Sequence, residues 1–214
     1  ATSARQAAGT TLETSTVEAA GRPKTAETTV KKGDQVVFQR FQTGERPASD
    51  VYYDEKGQVA RVQPGVVRSG GERTLDFSEL SSRRILTGQQ IEEIKGQVEG
   101  GQSMMRNARV SPVVDFNGQR AQVKFEVAGN RGEAPSVLFL REDRRLVIQP
   151  GVDSKTGKLS DMRGLVEVGA LSAGELKQAL PLAASPRNRP VAIVQQGDAR
   201  QTLYELREPG TSGT

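Results

Sequence analysis

Two of the side chains that enzymes use most often for catalysis are missing from this chain. Its 214 residues include no histidine and no cysteine. Serine–histidine–aspartate triads, thiol nucleophiles and metal sites with histidine or thiolate ligands are therefore excluded. A carboxylate pair, a serine–lysine arrangement or a cation held by oxygen ligands are the chemistries that the composition still allows.

The carboxylate pair Glu92 and Glu93 lies beside the apolar positions of a predicted helix. Neighbouring residues on a helix point in different directions, so these two carboxylates do not converge on one substrate. We expect both of them to face solvent.

The segment from Gly151 to Lys158 resembles a phosphate-binding loop, but its glycines are one residue too far apart and Leu159 replaces the hydroxyl residue that holds magnesium. As a calcium loop, residues 153–161 fail because Lys155 and Gly157 occupy ligand positions. We expect a polar turn here. The sequence therefore assigns no catalytic, cofactor-binding or metal-binding residue, and predicts no cofactor and no enzymatic activity.

Arginines and aromatic residues raise the question of nucleic-acid binding. Arginines capable of contacting phosphates cluster at Arg83 and Arg84, at Arg141, Arg144 and Arg145, and at Arg187 and Arg189. Side chains capable of stacking on bases are Phe38, Phe41, Tyr52 and Tyr53. However, acids interrupt the middle cluster, and the 30 basic and 26 acidic residues are interleaved, so the net charge is only +4. Nucleic acid therefore ranks below protein as the expected partner.

The most informative pattern is an internal repeat with a period of about 85 residues. Val62-Gln63-Pro64-Gly65-Val66 returns as Ile148-Gln149-Pro150-Gly151-Val152. Leu86-Thr87-Gly88-Gln89-Gln90-Ile91 returns as Leu171-Ser172-Ala173-Gly174-Glu175-Leu176, and Gly33 to Phe38 has a looser counterpart in Gly118 to Phe125. The pattern predicts a tandem duplicated domain, with a type II turn at each Pro-Gly pair.

Short alternating runs from Gly33 onward predict strands joined by hairpins. Turn residues at Asp54–Gly57, Asn117–Gly118, Arg141–Arg144 and Gln196–Ala199 mark the connections. The predicted strands are 35–42, 51–53, 58–62, 113–116, 119–127, 137–140, 145–148, 191–195 and 201–206.

Each repeat carries one helix with a capping box. Thr87 and Gln90 can exchange side-chain to backbone hydrogen bonds, while Ile91, Ile94 and Val98 form an apolar face that ends at Gly100-Gly101. In the second repeat, Ser172 and Glu175 form the same box, and Pro181 ends the helix.

Residues 1–32 differ from the rest of the chain because Leu12, Val17 and Val30 are their only large aliphatic residues. Such a segment buries too little apolar surface to offset the entropy of ordering it, so an extended or disordered N-terminal arm is expected, with a strand folded along a sheet edge as the alternative. The predicted organisation is an arm (1–32), repeat 1 (33–111), repeat 2 (112–208) and a C-terminal tail (209–214).

Together these patterns predict a mainly β (α+β) protein made of two strand-rich repeats. No segment approaches the roughly 20 apolar residues of a membrane span, so a soluble protein is expected. Repeated small units and an arm suit a non-enzymatic structural component of a symmetric assembly, most concretely a virion subunit that stabilises or decorates a capsid or belongs to a tail. The expected partners are further copies of the chain or neighbouring subunits. The alternative is an adaptor module that recognises protein or nucleic acid through the arginine-bearing hairpins.

Overall fold

A computed structural model describes residues 3–7, 9–17, 20–21, 23–129, 134–141, 145–151, 163–177, 191–196 and 199–206. Over this part of the chain the protein is mainly β, as the sequence predicts, with a few short helices. The strands are β1 (Ser3–Ala7), β2 (Thr10–Val17), β3 (Thr25–Lys32), β4 (Gln35–Thr43), β5 (Ser49–Tyr53), β6 (Val59–Gln63), β7 (Gly65–Ser69), β8 (Glu72–Asp76), β9 (Val110–Asn117), β10 (Arg120–Val127), β11 (Ser136–Leu140), β12 (Arg145–Gln149), β13 (Val191–Gln196) and β14 (Ala199–Leu206). The helices are α1 (Ser78–Ser82), α2 (Gly88–Gly100), α3 (Gln102–Met105) and α4 (Arg163–Glu167), followed by a helical turn over 173–177.

The described strands form one large antiparallel sheet and one small sheet. In the large sheet the order is β1-β2-β3-β4-β5-β6-β9-β10-β11-β12-β13-β14. Each strand lies beside the strand that precedes it in the chain, except that β9 lies beside β6, because β7 and β8 pair with each other in the small sheet. This order is the one that short hairpin connections favour.

The chain divides into two compact units. The first contains residues 1–96 and 113–122, and the second contains residues 97–112 and 123–214. The sequence boundary between residues 111 and 112 stays a prediction; in this division, residues 97–112 group with the second unit.

Each unit has a fully buried row of apolar side chains across neighbouring strands. In the first unit, Val51 pairs with Val62, and Val62 pairs with Val114; all three side chains are completely buried. In the second unit the corresponding row is Phe125, Leu138 and Ile148, also completely buried. Apolar and polar residues alternate along β10. Because every second side chain points to the same face, the apolar side chains of β10 are buried and its polar side chains are not.

Both predicted capping boxes are confirmed. The Oγ1 atom of Thr87 accepts from the backbone N–H of Gln90 (3.1 Å), and Oε1 of Gln90 accepts from the N–H of Thr87 (2.9 Å). Ser172 and Glu175 make the same two bonds, at 3.1 and 3.2 Å. Ile91, Ile94 and Val98 are buried as the apolar face of α2. The predicted end of the second helix at Pro181 lies outside the described residues.

The expectation of one helix per repeat is wrong, because α1 and α3 accompany α2, and α4 precedes the turn at 173–177. Helices of four or five residues are too short to show the helical period in a sequence.

The turn at Asp54–Gly57 is confirmed: Gly57 has φ of 75°, and Oδ1 of Asp54 accepts from the N–H groups of Lys56 and Gln58. The type II turn predicted at Pro64-Gly65 is wrong, since Gly65 does not adopt the positive φ that this turn requires. Gly65 instead brings the backbone against the carbonyl oxygen of Pro47, where a Cβ atom would not fit.

Local hydrogen bonds recur at positions related by the sequence repeat. Oγ of the buried Ser49 accepts from the N–H of Gly65 (2.9 Å), and Oγ of the buried Ser136 accepts from the N–H of Gly151 (3.1 Å). After α1, the carbonyl of Leu80 accepts from residues 85 and 86; after α4, the carbonyl of Leu165 accepts from residues 170 and 171. The residue before each of these pairs has a positive φ, 56° at Arg84 and 76° at Gly169.

The N-terminal segment contains three strands. β1, β2 and β3 continue the large sheet beyond β4, which matches the alternative in which this segment lies along a sheet edge. None of residues 9–16 is buried. In the described part of the chain, no helix is long and apolar enough to cross a membrane.

Candidate interaction surface

Four side chains form a row on one face of the first unit, which we call the outer row: Leu12, Val30, Phe38 and Tyr52. Each is paired directly with the next across β2, β3, β4 and β5. Directly paired residues in antiparallel strands project to the same face. Leu12 and Tyr52 are 38% and 40% exposed, and the rings of Phe38 and Tyr52 contact each other with centroids 5.0 Å apart. The outer row is therefore a contiguous apolar strip that meets solvent.

Two ion pairs flank the outer row. Arg40 binds Asp50 through two parallel bonds, Nε to Oδ1 at 2.7 Å and Nη2 to Oδ2 at 2.8 Å. Nε of Arg61 binds Oδ1 of Asp115 at 2.8 Å. The hydrogen bonds and the charge of Asp50 raise the pKa of Arg40, so this residue stays cationic. Each ion pair is neutral, and the exposed Lys32, two residues after Val30 in β3, adds a positive charge beside the row.

The structure brings together only half of the aromatic residues singled out for base stacking. Phe38 and Tyr52 share the outer row, whereas Phe41 is 3% exposed. The hydroxyl of Tyr53 donates to Oε1 of Gln39 at 2.5 Å. Gln39 pairs with the buried Val51, which places Gln39 on the face opposite to the outer row.

The opposite face of the same strands carries a half-buried polar cluster, which we call the inner cluster. It consists of Thr25, Glu27, Thr29, Gln39, Thr43, Tyr53, Glu79 and Arg83. Arg83 at the end of α1 is its centre: Nε donates to Oε2 of Glu79 (3.0 Å) and Nη1 to Oε2 of Glu27 (2.7 Å), while its guanidinium lies 4.4 Å from the ring centroid of Phe41. The bond from Arg83 to Glu27 and the bond from Thr43 to Glu79 (2.8 Å) fasten α1 to β3 and β4.

Burial, hydrogen bonds and charges in the inner cluster shift the pKa values of Glu79 and Tyr53 in opposite directions. Burial alone would raise the pKa of Glu79, but hydrogen bonds from Thr43 and Arg83 outweigh burial and hold this pKa below its usual value. Burial, followed by the charge of Glu27, raises the pKa of Tyr53. A carboxylate and a neutral phenol, each held by hydrogen bonds, fit a structural role for the cluster.

Sequence reasoning missed the inner cluster, although two signals for it exist. Glu79 and Arg83 have the i, i+4 spacing of a helical ion pair. Thr25, Glu27 and Thr29 alternate along β3, which places them on one face. The contact between the α1 residues and the β3 residues joins positions more than 50 residues apart, and neither of these local patterns predicts it.

The other predicted site residues do not converge on a site. Glu92 and Glu93 are exposed on α2, and Glu92 pairs with Lys95 at 3.0 Å, as expected for a solvated face. Of the arginines, Arg83 belongs to the inner cluster, and Arg84 is exposed. Arg144, Arg187, Arg189 and residues 152–161 of the predicted polar turn lie outside the described residues, as does the side chain of Arg145. The described part of the chain has no group of three or more acidic residues placed to hold a metal ion.

No protein-family model matches the chain, and no curated protein or solved structure is significantly similar to it.

Proposed function

We propose that this chain is a non-enzymatic structural component that acts by associating with further copies of itself or with neighbouring subunits. The observation that carries the proposal is the uncovered N-terminal part of the sheet: residues 9–16 include no buried side chain on either face. Strands depend for much of their stability on an apolar face packed against another layer, which β2 lacks here.

The edge of the sheet adds to this argument. β1 is the terminal strand of the large sheet among the described strands, with β2 as its only neighbour. The outward N–H and C=O groups of an edge strand are a template for pairing with another chain. Association would bury both the edge and the exposed faces of β2.

We further infer that the two repeats arose by duplication. The recurrence of the serine-to-glycine hydrogen bonds, of the capping boxes and of the two positive-φ residues at equivalent positions supports this inference. Proteins built from repeated units offer repeated contact surfaces, which suits a symmetric assembly. That this assembly is a virus particle stays a prediction from the sequence.

The proposal is tested by light scattering on the purified protein, comparing the full chain with a variant that lacks residues 1–17. The cut ends before β3 because Thr25, Glu27 and Thr29 of β3 belong to the inner cluster, so a longer deletion would damage the unit itself. We expect the full chain to be oligomeric and the shortened chain to have a lower mass.

Circular dichroism and the unfolding temperature serve as the folding control for the shortened chain. A full chain that is monomeric at all accessible concentrations would contradict the proposal and favour the adaptor alternative. Nucleic-acid binding by that adaptor would show a steep dependence on salt concentration.

A further inference from the structure

We propose that β14 of one copy of this chain pairs with β1 of a second copy, so that the large sheet continues from one molecule into the next. The inference rests on the proposed function, and it names the two strands that meet and their register. Its basis is the place of β1 and β14 in the repeat, because the repeat shows which neighbour each kind of strand takes.

Each complete repeat contributes four consecutive strands to the large sheet, β3 to β6 in the first repeat and β9 to β12 in the second. The second strand of a repeat pairs with the third in antiparallel direction, as β4 does with β5 and β10 with β11. The fourth strand pairs with the first strand of the unit that follows, as β6 does with β9. The same order of neighbours therefore recurs every four strands.

β13 and β14 have the places of a first and a second strand. β13 pairs with β12 as β9 pairs with β6. In all three hairpins two residues separate the first strand from the second, and the first of these residues is a glycine: Gly33, Gly118 and Gly197. In both complete repeats a third strand lies beside the second strand, but none of the described strands does so at β14.

β1 and β2 have the places of a third and a fourth strand. β2 pairs with β3 as β6 pairs with β9. β1 is five residues long and begins at Ser3, just as the third strands β5 and β11 are five residues long and begin at Ser49 and Ser136. Among the described strands, β1 has no second strand beside it. β14 of another copy is a strand of the kind that β1 lacks, and β1 is of the kind that β14 lacks.

The free edges supply the bonds for this contact. The outward N–H and C=O groups of an edge strand pair with an extended segment that is added to the sheet, and these main-chain hydrogen bonds give the affinity. Pairing β14 with β14, or β1 with β1, would join two second strands or two third strands, which neither complete repeat does. Because every copy has both edges, the contact continues from copy to copy into a ring or a filament.

The first repeat predicts the register of the contact. Glu27, Phe41 and Ser49 are directly paired across β3, β4 and β5. Glu27 lies six residues before the glycine of its hairpin. The residue six positions before the glycine in the last hairpin is Val191, which pairs with Leu206 of β14. Leu206 therefore has the place of Phe41, the residue that pairs with the first serine of a third strand.

The second repeat predicts the same register. Val127 of β10 lies nine residues after the glycine of its hairpin and pairs with Ser136. Leu206 also lies nine residues after the glycine of its hairpin. Since Ser3 begins β1 as Ser136 begins β11, we expect Ser3 of the second copy to lie opposite Leu206 in an antiparallel ladder.

The first test blocks each edge with proline, which donates no backbone hydrogen bond. Successive strand residues direct their N–H groups to opposite sides, so two adjacent positions are changed separately in each strand: Ala4→Pro and Arg5→Pro in β1, and Glu205→Pro and Leu206→Pro in β14. By light scattering, we expect a change in either strand to weaken association by about tenfold or more. An equimolar mixture of a β1 variant and a β14 variant keeps one intact edge of each kind, so it should form a species of two copies and nothing larger.

The second test uses the absence of cysteine from the chain. Chains with Ser3→Cys are mixed with chains of different length that carry Leu206→Cys, and the mixture is oxidised. Directly opposite residues of antiparallel strands have Cα atoms about 4.5–5.5 Å apart, which is within the range of a disulfide. We expect a disulfide-linked pair of the two chains. Glu205→Cys in place of Leu206→Cys is the matched control and should not crosslink, because neighbouring strand residues point to opposite faces.

The outcomes separate the two proposals. A wild-type chain that is monomeric at all concentrations would overturn both. An oligomer that the changes in one or both strands leave unaffected, or disulfides formed within the Ser3→Cys chains alone or the Leu206→Cys chains alone, would overturn this pairing and leave the proposed function standing. Recovery of a two-copy species on mixing, together with the link between Ser3→Cys and Leu206→Cys, would establish the pairing. If a proline variant loses its circular dichroism spectrum, the disulfide test decides, because it introduces no proline into either strand.

Discussion

Adding a single methyl group at Gly101 is expected to destabilise the second unit. Gly101 is buried immediately before α3, and a Cβ atom there would lie 2.5 Å from Cε2 of Phe125 and closer still to Cζ. The ring of Phe125 is completely buried and belongs to the apolar row with Leu138 and Ile148. The backbone of Gly101 has φ of −111° and ψ of 14°, which other residues also adopt, so the conflict is one of packing alone.

The magnitude follows from two opposing effects. Forcing an extra methyl group into a packed core costs about 1–3 kcal/mol. Replacing glycine with alanine gains about 0.4–1 kcal/mol, because the unfolded chain loses conformational freedom. The expected net loss for Gly101→Ala is about 1–2 kcal/mol, and for a protein of this size each kcal/mol lowers Tm by about 2–4 °C.

Gly96→Ala is the matched control, because Gly96 is exposed in the middle of α2 and a Cβ atom there meets nothing within 4 Å. We expect this variant to be stabilised by up to about 1 kcal/mol. Thermal unfolding followed by circular dichroism measures both effects. Phe125→Leu combined with Gly101→Ala should cost less than the sum of the two single changes, since the shorter side chain removes the conflict. Equal increases in Tm for Gly101→Ala and Gly96→Ala would refute the packing argument.

Two further predictions concern hydrogen bonds. The lowered pKa of Glu79 means that its carboxylate stabilises the folded state above the unfolded-state pKa of about 4.3, and that this contribution is lost as the pH falls through the lower folded-state pKa. The difference in free energy of unfolding between wild type and Glu79→Gln, measured with denaturant, should therefore be larger at neutral pH than at about pH 3, and a difference independent of pH would contradict the assignment. Ser49→Ala and Ser136→Ala each leave a buried glycine N–H without its acceptor, and we expect each to lower the free energy of unfolding by about 1–3 kcal/mol. Ser69→Ala at an exposed position of β7 should change it by no more than about 0.5 kcal/mol; an equally small effect at Ser49 or Ser136 would show that the recurring bonds contribute little.

The parts of the fold that the sequence predicted well depend on neighbouring residues. The capping boxes at Thr87 and Ser172 join residues three positions apart. The turn at Gly57 requires a positive φ at a single position, which glycine adopts readily. The buried face of α2 follows from spacing along a single helix. Prediction failed for Gly65, because its requirement is a close approach to Pro47, 18 residues earlier, and not a turn conformation.

The candidate surfaces were predicted only in part, because the face to which a strand residue points depends on register. Phe38 and Phe41 are three residues apart in β4, an odd separation that places them on opposite faces. The irregularity in pairing between Val30 and Lys31 changes the register within the same pair of strands. The alternation of side chains along β3 or along β4 does not by itself show which face of the strand becomes buried.

The sequence by itself determined the local elements: the caps, the hairpin turns, the alternating strands and the exclusion of histidine and cysteine chemistry. The local elements depend on interactions between residues a few positions apart, and those interactions are already present in a short segment of the chain. Only the tertiary structure decided that Phe38 and Tyr52 meet solvent together, and that Arg83 reaches Glu27 across 56 residues. Such meetings depend on strand register and on the placement of α1 against the sheet, which arise when distant segments bury their apolar faces against each other.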